Sequence, residues 1–126
     1  MLKSKDFELP IYSCRVIFVY STSYNDIIKF AKEQDFDDYN QKEIESKDYH
    51  GINCVLEDKN HKYYYIIVKK KKDKYEELDT ITHEISHGVC NILESKGISI
   101  NESGNEPYAY LTGYLNKEFF KFKDGK

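Results

Sequence analysis

Hydrophobic positions come in discrete groups whose spacing shifts from strand-like to helical near Tyr75. Ile11 to Tyr20 (IYSCRVIFVY) is β-branched and aromatic on both alternating sets, which predicts a well-buried strand. Ser23 then offers an N-cap for a helix over Tyr24 to Gln34, with Ile27, Ile28 and Ala31 at helical spacing. Asp35 to Asp48 is charged and lacks a clear period, which fits a loop or a frayed turn around Gln41 to Ser46. Ile52 to Glu57 and Lys62 to Lys69 are short apolar runs joined by turn-formers from Asp58 to His61, the pattern of a β-hairpin.

From Tyr75 the stripe Leu78, Ile81, Ile85, Val89, Ile92 and Leu93 follows a 3.6-residue period and stops at Gly97. A last helix covers about Glu106 to Phe122, with Ala109, Tyr110, Gly113, Tyr114 and Phe120 as the expected packed side. Ser103 to Glu106 fits a capping box, and Pro107 fits a first helical position. The expected order is β-α-β-β-α-α. That is one α+β domain over residues 1–126, a small sheet of about three strands with helices packed on one side.

Composition narrows the classes. The 126 residues suit a single domain, and 40% hydrophobic with 33% charged residues is too apolar for a disordered chain. The net charge of −3 argues against a protein built mainly to coat nucleic acid. No apolar run approaches the roughly 20 residues needed to cross a bilayer. Asp6, Glu8, Pro10 and Arg15 interrupt any secretory leader. Cys14, Cys54 and Cys90 are odd in number and lack CxxC spacing, so free thiols in a reducing, cytoplasmic compartment are expected. The basic run Lys69 to Lys72 with Lys74 could contact phosphates, with Tyr63 to Tyr65 stacking on bases. Glu76, Glu77 and Asp79 offset it, so a solvated loop is the expectation and nucleic acid is not an expected partner.

The chemistry centres on His83-Glu84-Ile85-Ser86-His87, an HExxH motif inside the clearest helix. Residues i and i+4 leave one helix face a turn apart, so both imidazoles can reach one ion. From the chain's own residue frequencies, roughly 0.01 such matches are expected by accident. Glu84 would stand beside that ion, open to solvent, and take a proton from bound water. A catalytic zinc site needs a third protein ligand, and no histidine follows His87. Glu94 is too far along the same helix and Glu118 too late in the next. Glu106, opening the last helix, is the leading candidate and Glu102 the alternative. A purely capping role for Glu106 would stabilise that helix by roughly 1 kcal/mol without any metal. Tyr110 and Tyr114 follow Glu106 on one helix face and are candidate donors to a developing oxyanion, unless they simply pack in the core. Cys90 and His50 are further neighbours that a structural role explains without chemistry.

HEISH followed by Asn105-Glu106-Pro107-Tyr108-Ala109-Tyr110 resembles the gluzincin pattern of two His and one Glu on consecutive helices. In size the chain is similar to minigluzincins and ImmA/IrrE-like metallopeptidases, and to short HExxH proteins of phages and prophages. The resemblance covers about Gly51 to Phe120. It implies a zincin-like active-site helix, Zn2+ held by His83, His87 and Glu106, and Glu84 as general base and acid. It also implies a peptide or protein substrate laid against the strand Lys62 to Lys69. The expected setting is the cytoplasm of a bacterium or a phage-infected host, or a virion. The chain lacks the helical second domain and the downstream oxyanion-binding histidine of larger gluzincins. A non-catalytic, zinc-bound interaction, regulatory or structural phage protein is therefore the alternative.

Overall fold

The structure, a computed structural model, describes residues 1–99 and 105–126. Its strands are β1 (Leu2–Leu9), β2 (Cys14–Ser21), β3 (Gly51–Glu57) and β4 (Lys62–Lys69); its helices are α1 (Tyr24–Glu33), α2 (Asp38–Glu45), α3 (Lys74–Ser95) and α4 (Asn105–Lys123). A 3-10 turn, Pro10–Tyr12, joins β1 to β2. The α+β class is as expected, but one mixed sheet of four strands, ordered β1-β2-β4-β3, replaces the expected three. β2 and β4 run parallel at its centre, and β1 and β3 are antiparallel edges.

Alternation along the central strands explains why helices cover both faces rather than one. Cys14, Val16, Phe18 and Tyr20 of β2 and Tyr64, Ile66 and Val68 of β4 form one core with Ile81, Ile85, Val89, Leu111, Leu115 and Phe119. Ile17, Val19, Tyr65 and Ile67 point the other way and pack with Ile27, Phe30, Phe36 and Ile44. Strands buried on both faces need apolar residues at every position, which is the pattern of IYSCRVIFVY and KYYYIIVK.

The elements missed by the sequence reading share a cause. β1 is an edge strand with Lys3, Lys5, Asp6 and Glu8, and its hydrophobic anchors are few, chiefly Phe7 edge-on to Phe18 at 5.0 Å and buried Leu9. Its backbone pairs with β2 over the full strand, an interaction no side-chain pattern reports. The expected start of β2 at Ile11 moves to Cys14, because Pro10 opens the turn and Ser13 adopts φ 49°. α2 forms where a loop or frayed turn was expected. Asp37 caps it by accepting from the Asn40 amide at 2.8 Å, and Ile44 is its single buried side chain.

The helices flanking the motif show further differences. α3 is capped by Asp73 and buries Ile81, Ile85, Val89, Ile92 and Leu93 completely, roughly 1.5–3 kcal/mol for each large side chain. Leu78, expected on the buried stripe, is 44% exposed, and Glu77 is turned inward instead. α4 also sits on another face than expected. Leu111, Leu115, Phe119 and Phe122 are buried, whereas Tyr110 is 76% and Tyr114 42% exposed.

Candidate metal centre on helix α3

His83 and His87 lie on the exposed side of α3, one turn apart. Their rings are edge-to-face at 4.6 Å, and their Nε2 atoms are 3.1 Å apart. Two nitrogens bound about 2.0–2.1 Å from a tetrahedral ion would stand about 3.3–3.4 Å apart, so the imidazole pair fits a shared cation. Without an ion, the same spacing suits one ring donating a hydrogen bond to the other.

Glu84 turns away from this open side toward the sheet. Only 7% of it is exposed, which corrects the expectation of a solvent-open carboxylate. Asn53 of β3 holds it: Nδ2 donates to Glu84 Oε1 at 2.7 Å and to the Glu84 carbonyl at 3.0 Å. Oε2 accepts no hydrogen bond among the described residues, leaving its lone pairs for water. The fit needs two glycines. A Cβ on Gly51 would lie 2.4 Å from Glu84 Cγ, and one on Gly88 would lie 2.9 Å from Ile66 Cδ1 and 3.2 Å from Asn53 Oδ1. Gly51 thus makes room for the carboxylate, and Gly88 lets α3 settle on the β3–β4 hairpin.

The strand beside Glu84 is therefore β3, not Lys62–Lys69. β4 is paired on both sides by β2 and β3, so it has no free edge to offer an extended peptide. β3 has one.

The third-ligand candidates divide. Glu106 is exposed in the first turn of α4, and Glu102 lies outside the described residues, as does Gly104. Among the described residues no group of three or more His, Cys, Asp or Glu side chains is close enough to hold a metal ion, so Glu106 does not join His83 and His87 in this conformation. Tyr110 and Tyr114 border an apolar cavity of about 370 Å3 with Leu9, Pro10, Ile11 and Tyr12, against the β1–β2 turn. The α4 hydroxyl that reaches the motif is Tyr108, donating to Ser86 Oγ at 3.2 Å. Sequence reasoning missed Tyr108 although it begins the stripe Tyr108, Leu111, Leu115, Phe119, Phe122.

The thiols take no part in this arrangement. Cys14 and Cys54 are buried on opposite faces of the sheet, and Cys90 is half-buried on α3. Burial, reinforced by the carboxylates of Asp37, Glu43 and Glu84, pushes the Cys54 thiol up to about 12, so it is not a thiolate nucleophile at neutral pH. No helix among the described residues is long and apolar enough to cross a membrane. In comparisons with known proteins, no protein-family model matches the chain, and no curated protein or solved structure shows a significant match.

Proposed function

We propose that the chain is a zinc-dependent, gluzincin-like peptidase domain of a bacterium or its phage, in which His83 and His87 hold Zn2+ and Glu84 is the general base. The observation that carries this reading is the pair of exposed imidazoles whose Nε2 atoms stand 3.1 Å apart on α3, with a held carboxylate at the intervening position. Zinc bound there would acidify a water and polarise a substrate carbonyl. Asn53 fixes one oxygen of Glu84, and among the described residues the other accepts no hydrogen bond and is open to take a proton. The free edge of β3 next to Glu84 can align an extended peptide by backbone hydrogen bonds. The Tyr108–Ser86 bond ties the first turn of α4 to the motif, which supports Glu106 as the third ligand once a cation draws it in.

The alternative, a zinc-bound or metal-free interaction protein without turnover, is favoured by the exposed position of Glu106 and the deep seat of Glu84. One set of measurements separates the two. The peptidase reading expects about one zinc per chain, lost in His83→Ala and His87→Ala and weakened in Glu106→Ala. It also expects hydrolysis of an unstructured protein, reduced about 10²–10⁴-fold in Glu84→Gln with zinc retained. Stoichiometric zinc in both histidine variants refutes the site. Zinc binding with no hydrolysis by the wild-type chain selects the interaction protein.

A further inference from the structure

The basic run Lys69 to Lys72 is not used by the proposed metal site, and its surroundings differ from those of a solvated loop. Its backbone is pinned from its start: the Lys69 amide donates to the His50 carbonyl at 2.9 Å and the Lys70 amide to the Ser21 carbonyl at 2.8 Å. The Lys71 amide donates to Glu77 Oε2 at 2.8 Å. Glu77 is 4% exposed and also accepts from the Tyr20 hydroxyl, at 3.0 Å on Oε1 and 2.9 Å on Oε2, while Lys123 Nζ lies 3.2 Å from Oε1. Lys3 Nζ donates to the Lys123 carbonyl at 2.6 Å, fastening β1 to the end of α4. One buried carboxylate therefore ties together the end of β2, the β4–α3 loop and the last turn of α4.

These ties shape a cavity of about 370 Å3 lined by Lys3, Lys70, Lys71, Lys72, Lys74 and Lys123. Its acids are Glu77, whose charge is already matched by Lys123 and by the Tyr20 hydroxyl and Lys71 amide that donate to it, and Asp124. Among the described residues Lys70, Lys71, Lys72 and Lys74 have no ion-pair partner. Among the described residues Asp124 is the one acid of the cavity left to offset their mutual repulsion, in a chain whose net charge is −3. An adjoining cavity shares Lys70 to Lys72 but brings in Asp73 and Glu76, so the excess positive charge is greatest in the first.

We infer that this cavity binds a compact anion of two or three linked phosphates. A single phosphate, at about −1.5 to −2, would leave about half of the cavity's excess positive charge unmatched. The volume lies in the range of about 300–1,000 Å3 usual for small-ligand sites. The ligand is read by charge and not by base stacking. Tyr64 and Tyr65 are buried in β4, and the cavity's own aromatic, Tyr20, is buried in β2.

The probes are sodium tripolyphosphate, inorganic phosphate and an oligothymidylate series, titrated calorimetrically into the purified chain without added metal. Tripolyphosphate should bind once per chain, at least about tenfold tighter than phosphate. The double variant Lys70→Gln/Lys72→Gln alters two exposed side chains, so its melting temperature should hold while tripolyphosphate affinity falls about tenfold or more. His83→Ala should leave that affinity unchanged, which separates this site from the metal site. The inference is overturned by absent saturation, by an unaffected lysine variant, or by loss of binding in His83→Ala. It is equally overturned if oligothymidylates bind tighter than tripolyphosphate with affinity growing with strand length, the signature of an extended polyanion track.

Discussion

Glu77 and Glu84 sit seven residues apart on α3, two turns along one face, and both are turned into the sheet. Each is nearly inaccessible to solvent, at 4% and 7% exposed. Their surroundings differ in kind. Glu77 has a lysine, a phenol and a backbone amide on its two oxygens. Glu84 has one amide nitrogen on Oε1, and among the described residues no cation pairs with it. A carboxylate saturated with donors and a countercharge is held for architecture. One whose second oxygen accepts no hydrogen bond among the described residues retains the capacity to take up a proton. The same helix thus carries a clamp near its start and, near its middle, the carboxylate proposed above as the general base.

That contrast predicts unequal costs. Glu77→Ala would leave the Tyr20 hydroxyl, the Lys71 amide and the Lys123 ammonium without their acceptor, and stability should fall by about 3 kcal/mol or more. Glu84→Ala should cost about 1 kcal/mol, because Asn53 Nδ2 keeps the Glu84 backbone carbonyl as a partner. Urea unfolding of the two variants measures both. Equal losses, or a larger one at Glu84, would break the distinction between a clamp at Glu77 and a carboxylate at Glu84 that the fold does not need.

Why Glu77 and Asn53 escape a reading of the sequence is a matter of distance along the chain. β2, β4 and α3 are legible because their own side chains encode burial, by apolar runs in Val16 to Tyr20 and Tyr63 to Val68 and by the period from Ile81 to Leu93. His83 and His87 are legible because i and i+4 always share a helix face. Glu77 looks like an ordinary acid in a first turn until Tyr20, 57 residues away, is folded beneath it. Asn53 is a polar residue in a hairpin strand until Glu84 arrives from 31 residues downstream. The edge position of β3 likewise depends on the parallel pairing of β2 with β4, which no local pattern specifies. Tyr110 and Tyr114 illustrate the converse. They share a face of α4, but the face that packs is the one carrying Leu111, Leu115 and Phe119.

Gly51 offers a sharper test of how Glu84 is seated. A methyl group there would meet Glu84 Cγ at 2.4 Å, so Gly51→Ala should cost about 1–3 kcal/mol by crowding. Combining it with Glu84→Ala removes the group being struck, and the double variant should lose less than the sum of the singles by about 0.5 kcal/mol or more. The same Gly51→Ala change combined with Glu77→Ala should be additive, because the two glutamates lie about 10 Å apart along the helix axis. Additivity in both pairs would mean that Glu84 is not confined by β3.

The smallest effect concerns alkaline pH and separates the two carboxylates by their partners. Burial, and then the adjacent Glu77 carboxylate, raises the Tyr20 phenol above its ordinary value of 10.0. Below pH 10 the folded and unfolded chains both keep this proton, so its contribution to stability is fully present. Above pH 10 the unfolded chain releases the proton while the folded chain retains it, and stability falls as pH rises, by at most about 1.4 kcal/mol per unit for one proton. Tyr20→Phe removes that proton and should make the decline in melting temperature between about pH 9 and 11 shallower, though its starting value will be lower for want of the Glu77 bond. Part of the decline should persist, since burial also pushes Tyr65 up to about 12. Asn53→Leu, which strips Glu84 of its side-chain donor, should leave the alkaline slope as it is in the wild-type chain, because the amide of Asn53 has no proton to lose in that range. An unchanged slope in Tyr20→Phe would mean that the phenol is not held by Glu77 in solution, and the clamp at the start of α3 would then rest on Lys123 and the Lys71 amide alone.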